Sequence, residues 1–229
     1  AALELLRRVS QLEPANLQAI EDLGTAELSA RRFPEAEAQF RKALALGKRD
    51  ASLCSWLGIA LASQARNAEA VEYFQQAVTA EPRNPGFRIN LGNSQRALGR
   101  HQEAVASYRS ALESAPDCAD AMAGLAAAFL LTGRVEEALN WCHSALALDP
   151  DHLEARYRMA AALGARGEFA QALSILEAVI ARAPHHADVI TESGIALLGL
   201  GRFPEAEQRF RQAVALNAES AEVYCNLAR

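Results

Sequence analysis

The chain has little of what catalytic or metal-binding sites are usually built from. It carries four cysteines, Cys54, Cys118, Cys142 and Cys225, and no two of them form a Cys-x-x-Cys pair. Thiols scattered in this way point to neither a zinc site nor a disulfide framework. No apolar run approaches the roughly 20 residues that a membrane-spanning helix requires, and no secretory leader is recognisable. Lysine and arginine nowhere cluster among aromatics, and the net charge is −5. Nucleic acid is therefore a poor partner. There is no glycine-rich phosphate loop, no Gly-x-Ser-x-Gly elbow and no His-Glu-x-x-His. The adjacent carboxylates Glu136 and Glu137 open a helix, where the positive end of the dipole favours them. His185 and His186 follow Pro184 in a turn. Sequence neighbours rarely aim two imidazoles at one ion, so this is a surface turn. No catalytic residue, cofactor or metal is expected.

What the chain does have is a period. Ala36, Ala70, Ala104, Ala138, Ala172 and Ala206 follow one another at intervals of 34 residues, and Ala2 extends the row. A second row of small residues runs Gly24, Gly58, Gly92, Ala126, Ala160, Gly194 and Ala228. A third holds Pro14, Pro82, Pro116, Pro150 and Pro184, interrupted only at Lys48 and Ala218. No insertion or deletion breaks the spacing. Self-similarity at this period means a solenoid, an extended surface that favours partner binding over a closed pocket.

Each unit reads as two helices. In the stretch from Gly99 to Pro116, residues Ala104, Tyr108, Ala111 and Leu112 fall on one helical face. Gly99, Gly133, Gly167 and Gly201 stand where a first helix ends and a tight turn begins, in a conformation glycine tolerates. Pro34 and Pro204 fall at the start of a second helix, where the missing N–H matters little. The proline closing most units stops that helix. Small residues in three registers let neighbouring helices approach, and larger ones fill the space between them.

These registers resemble the tetratricopeptide repeat. That family places Leu at unit position 7, small residues at 8, 20 and 27, an aromatic at 24 and Pro at 32. Here position 7 is Leu23, Leu57, Leu91, Leu125, Met159, Ser193 and Leu227. Position 24 is Phe40, Phe74, Tyr108, Cys142, Leu176 and Phe210, with Cys142 expected as a buried thiol acting as a small hydrophobe. The units implied are 17–50, 51–84, 85–118, 119–152, 153–186 and 187–220. Residues 1–16 read as the second helix of a truncated unit and 221–229 as the first helix of another, so the segment looks cut from a longer array. The expected fold is an all-α solenoid, a right-handed superhelix of antiparallel helix pairs without strands. Leu57, Leu91, Leu125 and Ala104 are expected in its core. At the ends, Leu3, Leu6, Tyr224 and Leu227 are expected to be under-packed, opening a route to self-association.

The resemblance also implies a groove, lined by the first helix of each unit at positions 2, 5, 6, 9, 12 and 13. Carried over, these positions give the candidate peptide-binding residues Trp56, Ile59, Asn90, Asn93, Arg96, Gly124, Ala127, Tyr157 and Arg158. Trp56 and Ile59 are expected as an exposed apolar anchor. Asn90 and Asn93 suit a peptide backbone, because an amide both donates and accepts. Arg96 and Arg158 suit a carboxylate. Gly124 and Ala127 leave a depression for the main chain. Acidic ends, Glu21 with Asp22 and Asp188 with Glu192, would centre an acidic ligand by repulsion.

Two better-known patterns within the family fit poorly. Of the two-carboxylate clamp of co-chaperones, Asn93 and Arg158 match while Ile89, Gly124 and Glu154 do not. Of the asparagine ladder of O-linked N-acetylglucosamine transferases, only Asn90, Asn93 and Asn226 match. The implied function is a non-catalytic protein–protein interaction scaffold holding an extended peptide or partner segment. The alternative is the recognition arm of a larger enzyme, a glycosyltransferase or sulfotransferase, with a structural part in an envelope assembly as a weaker third. Direct membrane insertion is not expected. The compartment stays open between cytoplasm and periplasm, with the cytoplasm favoured.

Overall fold

The computed structural model describes residues 2–216. Among these, thirteen helices and no strand are present. The chain divides into two compact units, Ala1–Pro116 and Asp117–Arg229. The first holds α1 (Ala2–Leu12), α2 (Leu17–Ser29), α3 (Phe33–Ala45), α4 (Ala51–Ala62), α5 (Asn67–Ala80), α6 (Pro85–Ala97) and α7 (His101–Ser114). The second holds α8 (Ala119–Leu131), α9 (Val135–Leu148), α10 (Leu153–Ala165), α11 (Phe169–Arg182), α12 (Ala187–Gly199) and α13 (Phe203–Leu216). Within each unit, successive helices pair as hairpins and each hairpin packs on the next.

The helix ends explain the period. First helices are capped 34 residues apart: Asn16 accepts from the Ala19 amide, Asp50 from Leu53 and Asn84 from Gly86. At the same register His152 accepts the Ala155 amide through Nδ1, and its Nε2–H donates to Asp120 at 3.0 Å. Such caps contribute about 1 kcal/mol each. Every first helix then closes in one kind of turn. Around Gly99, for example, the Gly99 amide bonds the Arg96 carbonyl and the Arg100 amide bonds Gln95, the double bond of a Schellman motif. This turn needs a positive φ. Gly99, Gly133, Gly167 and Gly201 supply it, but Arg31 (φ 58°) and Ala65 (φ 60°) adopt it without being glycine.

The core shows why two registers vary together. At Gly58, a Cβ would lie 2.6 Å from the Phe74 ring, and at Gly92 it would lie 2.7 Å from Tyr108. Gly24 faces Phe40 and Gly194 faces Phe210 in the same way, each at 2.5 Å. Where the position carries Ala126 or Ala160 instead, the residue sixteen further on is Cys142 or Leu176 rather than an aromatic. A smaller partner makes room for the extra methyl group, and close packing is kept by exchange of volume between the two helices of one hairpin. The alanines at positions 20 and 27, such as Ala70, Ala77, Ala104 and Ala111, are fully buried.

Leu57, Leu91, Leu125 and Ala104 are core residues, as the repeat register implies. Cys142 is fully buried, and burial pushes its thiol up to about 12. At the amino-terminal end Leu3 and Leu6 are half-buried, while Leu5, Val9 and Leu12 are exposed. Tyr224 and Leu227 lie outside the described residues.

Candidate functional site

The candidate residues fall in both units. In the first, α4 and α6 carry five of them. Trp56 is half-buried and stacks on Phe40, with ring centroids 5.9 Å apart and planes 25° from parallel. It therefore corrects the expectation of an exposed anchor: the indole fills space in the core cluster, alongside the half-buried Ile59. Asn90 is half-buried and Asn93 exposed. The Tyr108 hydroxyl donates to Oδ1 of Asn93 at 2.7 Å. That bond occupies one acceptor site of the amide oxygen and leaves the NH2 group as the donor. One turn on, Arg96 is half-buried, and its Nε–H is buried with no acceptor. No carboxylate among the described residues pairs with Arg96, whereas most arginines of this chain sit in ion pairs.

Sequence reasoning missed the fixed orientation of Asn93. The signal was present in Tyr108, since a tyrosine where Phe40 and Phe74 stand elsewhere brings a hydroxyl that must find a partner when buried. Glu21 is a second correction. It is only 4% exposed and is held by the Lys48 ammonium, which also reaches Asp50 at 3.2 Å. The Glu21 carboxylate, with a smaller contribution from Asp50, keeps Lys48 above its ordinary range. Asp22 is exposed and accepts from Gln18 at 2.8 Å. A cleft of about 580 Å³, foreseen by no motif, opens beside α1, α2 and α3. Its floor is Glu27, a buried carboxylate bracketed by Arg7 at 2.8 Å and Arg32 at 3.2 Å.

In the second unit the candidates lie on α8 and α10. Ala127 and Tyr157 are buried, at 3% and 7% exposure, and so offer little contact surface of their own. The Tyr157 ring is held between the Arg158 guanidinium, 4.4 Å from its centroid, and the His186 ring at 5.8 Å. Burial raises the Tyr157 hydroxyl far above its ordinary range. Arg158 is half-buried and bonds Glu154 through both Nε and Nη2 at 2.7 Å. Its charge is thus already matched, which the sequence could not show. Gly124 is half-buried. His185 and His186 are exposed, as a surface turn requires. Among the described residues no three metal-binding side chains converge, and no helix is long and apolar enough to cross a membrane.

Several solved structures share this fold. One is the anaphase-promoting complex hetero-tetramer Cut9–Hcn1, with TM-score 0.85 and 15% identity, covering 100% of this chain but 45% of that one. The chain thus spans under half the length of that relative. A tetratricopeptide repeat protein from Parabacteroides merdae gives TM-score 0.83 and 17% identity over 99% of this chain and 90% of the other. YrrB, described as a TPR protein with an unusual peptide-binding site, gives TM-score 0.52 and 20% identity over 83% and 98%. At these identities the likeness is one of fold. No curated protein matches the sequence. Tetratricopeptide repeat models match residues 1–52, 21–85, 89–152, 137–191 and 163–229. With the helix hairpins and their 34-residue registers, these matches place the chain in the tetratricopeptide repeat family.

Proposed function

We propose that the chain is a non-catalytic interaction scaffold whose first helices bind an extended peptide segment of a protein partner. One observation carries the reading. On α6 an exposed amide, Asn93, fixed by the Tyr108 hydroxyl, stands one turn from Arg96, a guanidinium that no carboxylate among the described residues pairs. A peptide carbonyl suits the first, and a carboxylate suits the second through charge-assisted bonds. YrrB offers a precedent for peptide binding on this fold.

The test is a peptide array screened on the wild type, followed by titration of the best binder. Loss of one hydrogen bond to a charged group costs about 1.5–3 kcal/mol, so Arg96→Gln should weaken binding roughly tenfold or more. Asn93→Ala should weaken it by a smaller factor. Arg158→Ala should matter less than Arg96→Gln, because Glu154 already neutralises Arg158. Binders indifferent to both Asn93→Ala and Arg96→Gln would show that α6 is not the contact surface.

A further inference from the structure

In the second unit, the first helices α8, α10 and α12 divide sharply along their length. Each opens with a carboxylate at its second residue, Asp120, Glu154 and Asp188. Asp120 and Asp188 are exposed. The last five residues of each helix, Ala127–Leu131, Ala161–Ala165 and Ile195–Gly199, have no polar side chain at all. Of the corresponding halves in the first unit, α2 carries Thr25, Glu27 and Ser29 and α6 carries Asn93, Ser94, Gln95 and Arg96, while that of α4 is likewise without a polar side chain.

The apolar halves are not flush. Leu131 of α8 is 55% exposed. Leu130 of α8 and Ile195 and Leu198 of α12 pack on the core while remaining partly open. Between them, α10 contributes Ala161, Gly164 and Ala165, and α10 touches both α8 and α12. Gly164 is decisive. A Cβ built there meets nothing within 4 Å, and its φ is an ordinary helical one. The backbone does not require this glycine, and no neighbour presses on it. Above it is open space, and the residues at its register in the flanking first helices are Leu130 and Leu198.

We infer that this face takes a segment with an apolar side chain seated over Gly164 and basic residues reaching the exposed carboxylates Asp120 and Asp188 at the opening turns of α8 and α12. The inference rests on the reading that first-helix faces bind extended segments, and it names the chemistry of one such segment. Charge complementarity selects a basic occupant. Arg158 and Glu154 neutralise each other, Arg156 is turned to Asp151 and the Pro150 carbonyl, and Asp120 accepts from the His152 ring while staying exposed. The face therefore keeps an acidic balance next to an apolar trough. Such a pairing steers a basic-apolar peptide and disfavours its acidic twin. The attraction weakens as salt rises.

The probe is a labelled nonapeptide with one central leucine flanked by lysines, followed by fluorescence anisotropy on the full chain. Its twin carries glutamates in place of the lysines. The lysine peptide should bind at least about tenfold tighter than the twin at low salt. Gly164→Leu fills the trough and should weaken the lysine peptide about tenfold or more, because it removes the seat of an anchor side chain. The same change should not lower the unfolding midpoint, since it removes a helix glycine without a clash. Asp188→Asn should weaken the peptide a few-fold and flatten its salt dependence. Equal binding of the two peptides, both weakened by Gly164→Leu, would overturn the charge assignment and leave peptide binding on this face standing. Lysine-peptide binding untouched by Gly164→Leu would overturn the trough itself. Asn93 and Arg96 variants report on the first unit independently of either result.

Discussion

The exchange of volume between the two helices of a hairpin yields a sharp expectation. In Gly58→Ala the new methyl carbon would sit 2.6 Å from Phe74 Cε1 and 2.8 Å from Cζ. Carbon atoms in contact prefer about 3.5–4.0 Å. Phe74 is 1% exposed and has nowhere to swing. Overpacking of this kind costs about 1–3 kcal/mol, and the better helix propensity of alanine returns roughly 1 kcal/mol. The net loss for Gly58→Ala is then up to about 2 kcal/mol. Phe74→Leu alone leaves a void and should lose on the order of 1–2 kcal/mol, between a methylene deletion and a full truncation of the ring. The double variant recreates the Ala160–Leu176 pair, both members of which are buried and 1% exposed in the second unit. The methyl group now enters the space the ring has left. The double variant should therefore be at least as stable as Phe74→Leu, with a coupling of about 1–2 kcal/mol. Urea unfolding followed by circular dichroism measures the total. Hydrogen exchange across α4 and α5 should accompany it, because long repeat arrays can lose two-state behaviour. Additive penalties, with the double variant worse than either single one, would refute the reasoning.

Three further outcomes are expected. Ala65→Gly and Arg31→Gly should each raise stability by up to about 1 kcal/mol, because both residues hold a left-handed backbone that L side chains adopt at a penalty; thermal unfolding reads this, and a lowered midpoint would contradict it. Burial tends to raise the Glu37 carboxyl, but hydrogen bonds from Arg41, Gln64 and Arg66 outweigh it and hold the group below its usual range. A lowered folded pKa gives stability that is present at neutral pH and lost as pH falls through that value. Glu37→Gln should accordingly be less stable than wild type at pH 7, with the gap closing as pH falls below the ordinary carboxylate range. Burial pushes Cys142 up to about 12. Its raised folded value makes the contribution complete below the unfolded thiol's pKa of about 8.5 and lost as pH climbs above it. Native Cys142 should resist a thiol reagent at pH 8, and Cys142→Ala should flatten the alkaline loss of stability measured by denaturant titration.

The repeat registers made the fold readable because they are local. A 34-residue period, a glycine at a turn and an alanine facing a neighbouring helix leave marks in consecutive units. The candidate site was less readable because its chemistry depends on pairings that the period does not encode. Glu21 is captured by Lys48, 27 residues away, just beyond the second helix of the same hairpin. Trp56 sits on Phe40 because the preceding unit offers an aromatic face there. Arg158 and Asn93 both lie at groove positions, but Glu154 satisfies one and Tyr108 orients the other. The Gly164 trough was missed for another reason. Its register holds Leu130 and Leu198 in the flanking first helices, and a gap becomes visible only when those neighbours stand beside it.

The pairing of Gly58 with Phe74 and of Ala160 with Leu176 also bears on how such an array can be recombined. A crossover inside a hairpin joins a first helix from one unit to a second helix from another. A glycine-bearing first helix accepts a leucine partner and leaves only a void. An alanine-bearing one, such as α8 or α10, meets a phenylalanine with a steric clash. Duplication or exchange in this lineage is therefore directional within hairpins and unrestricted by this pair between them. Breakpoints of natural or engineered chimaeras should gather in the turns that separate one hairpin from the next.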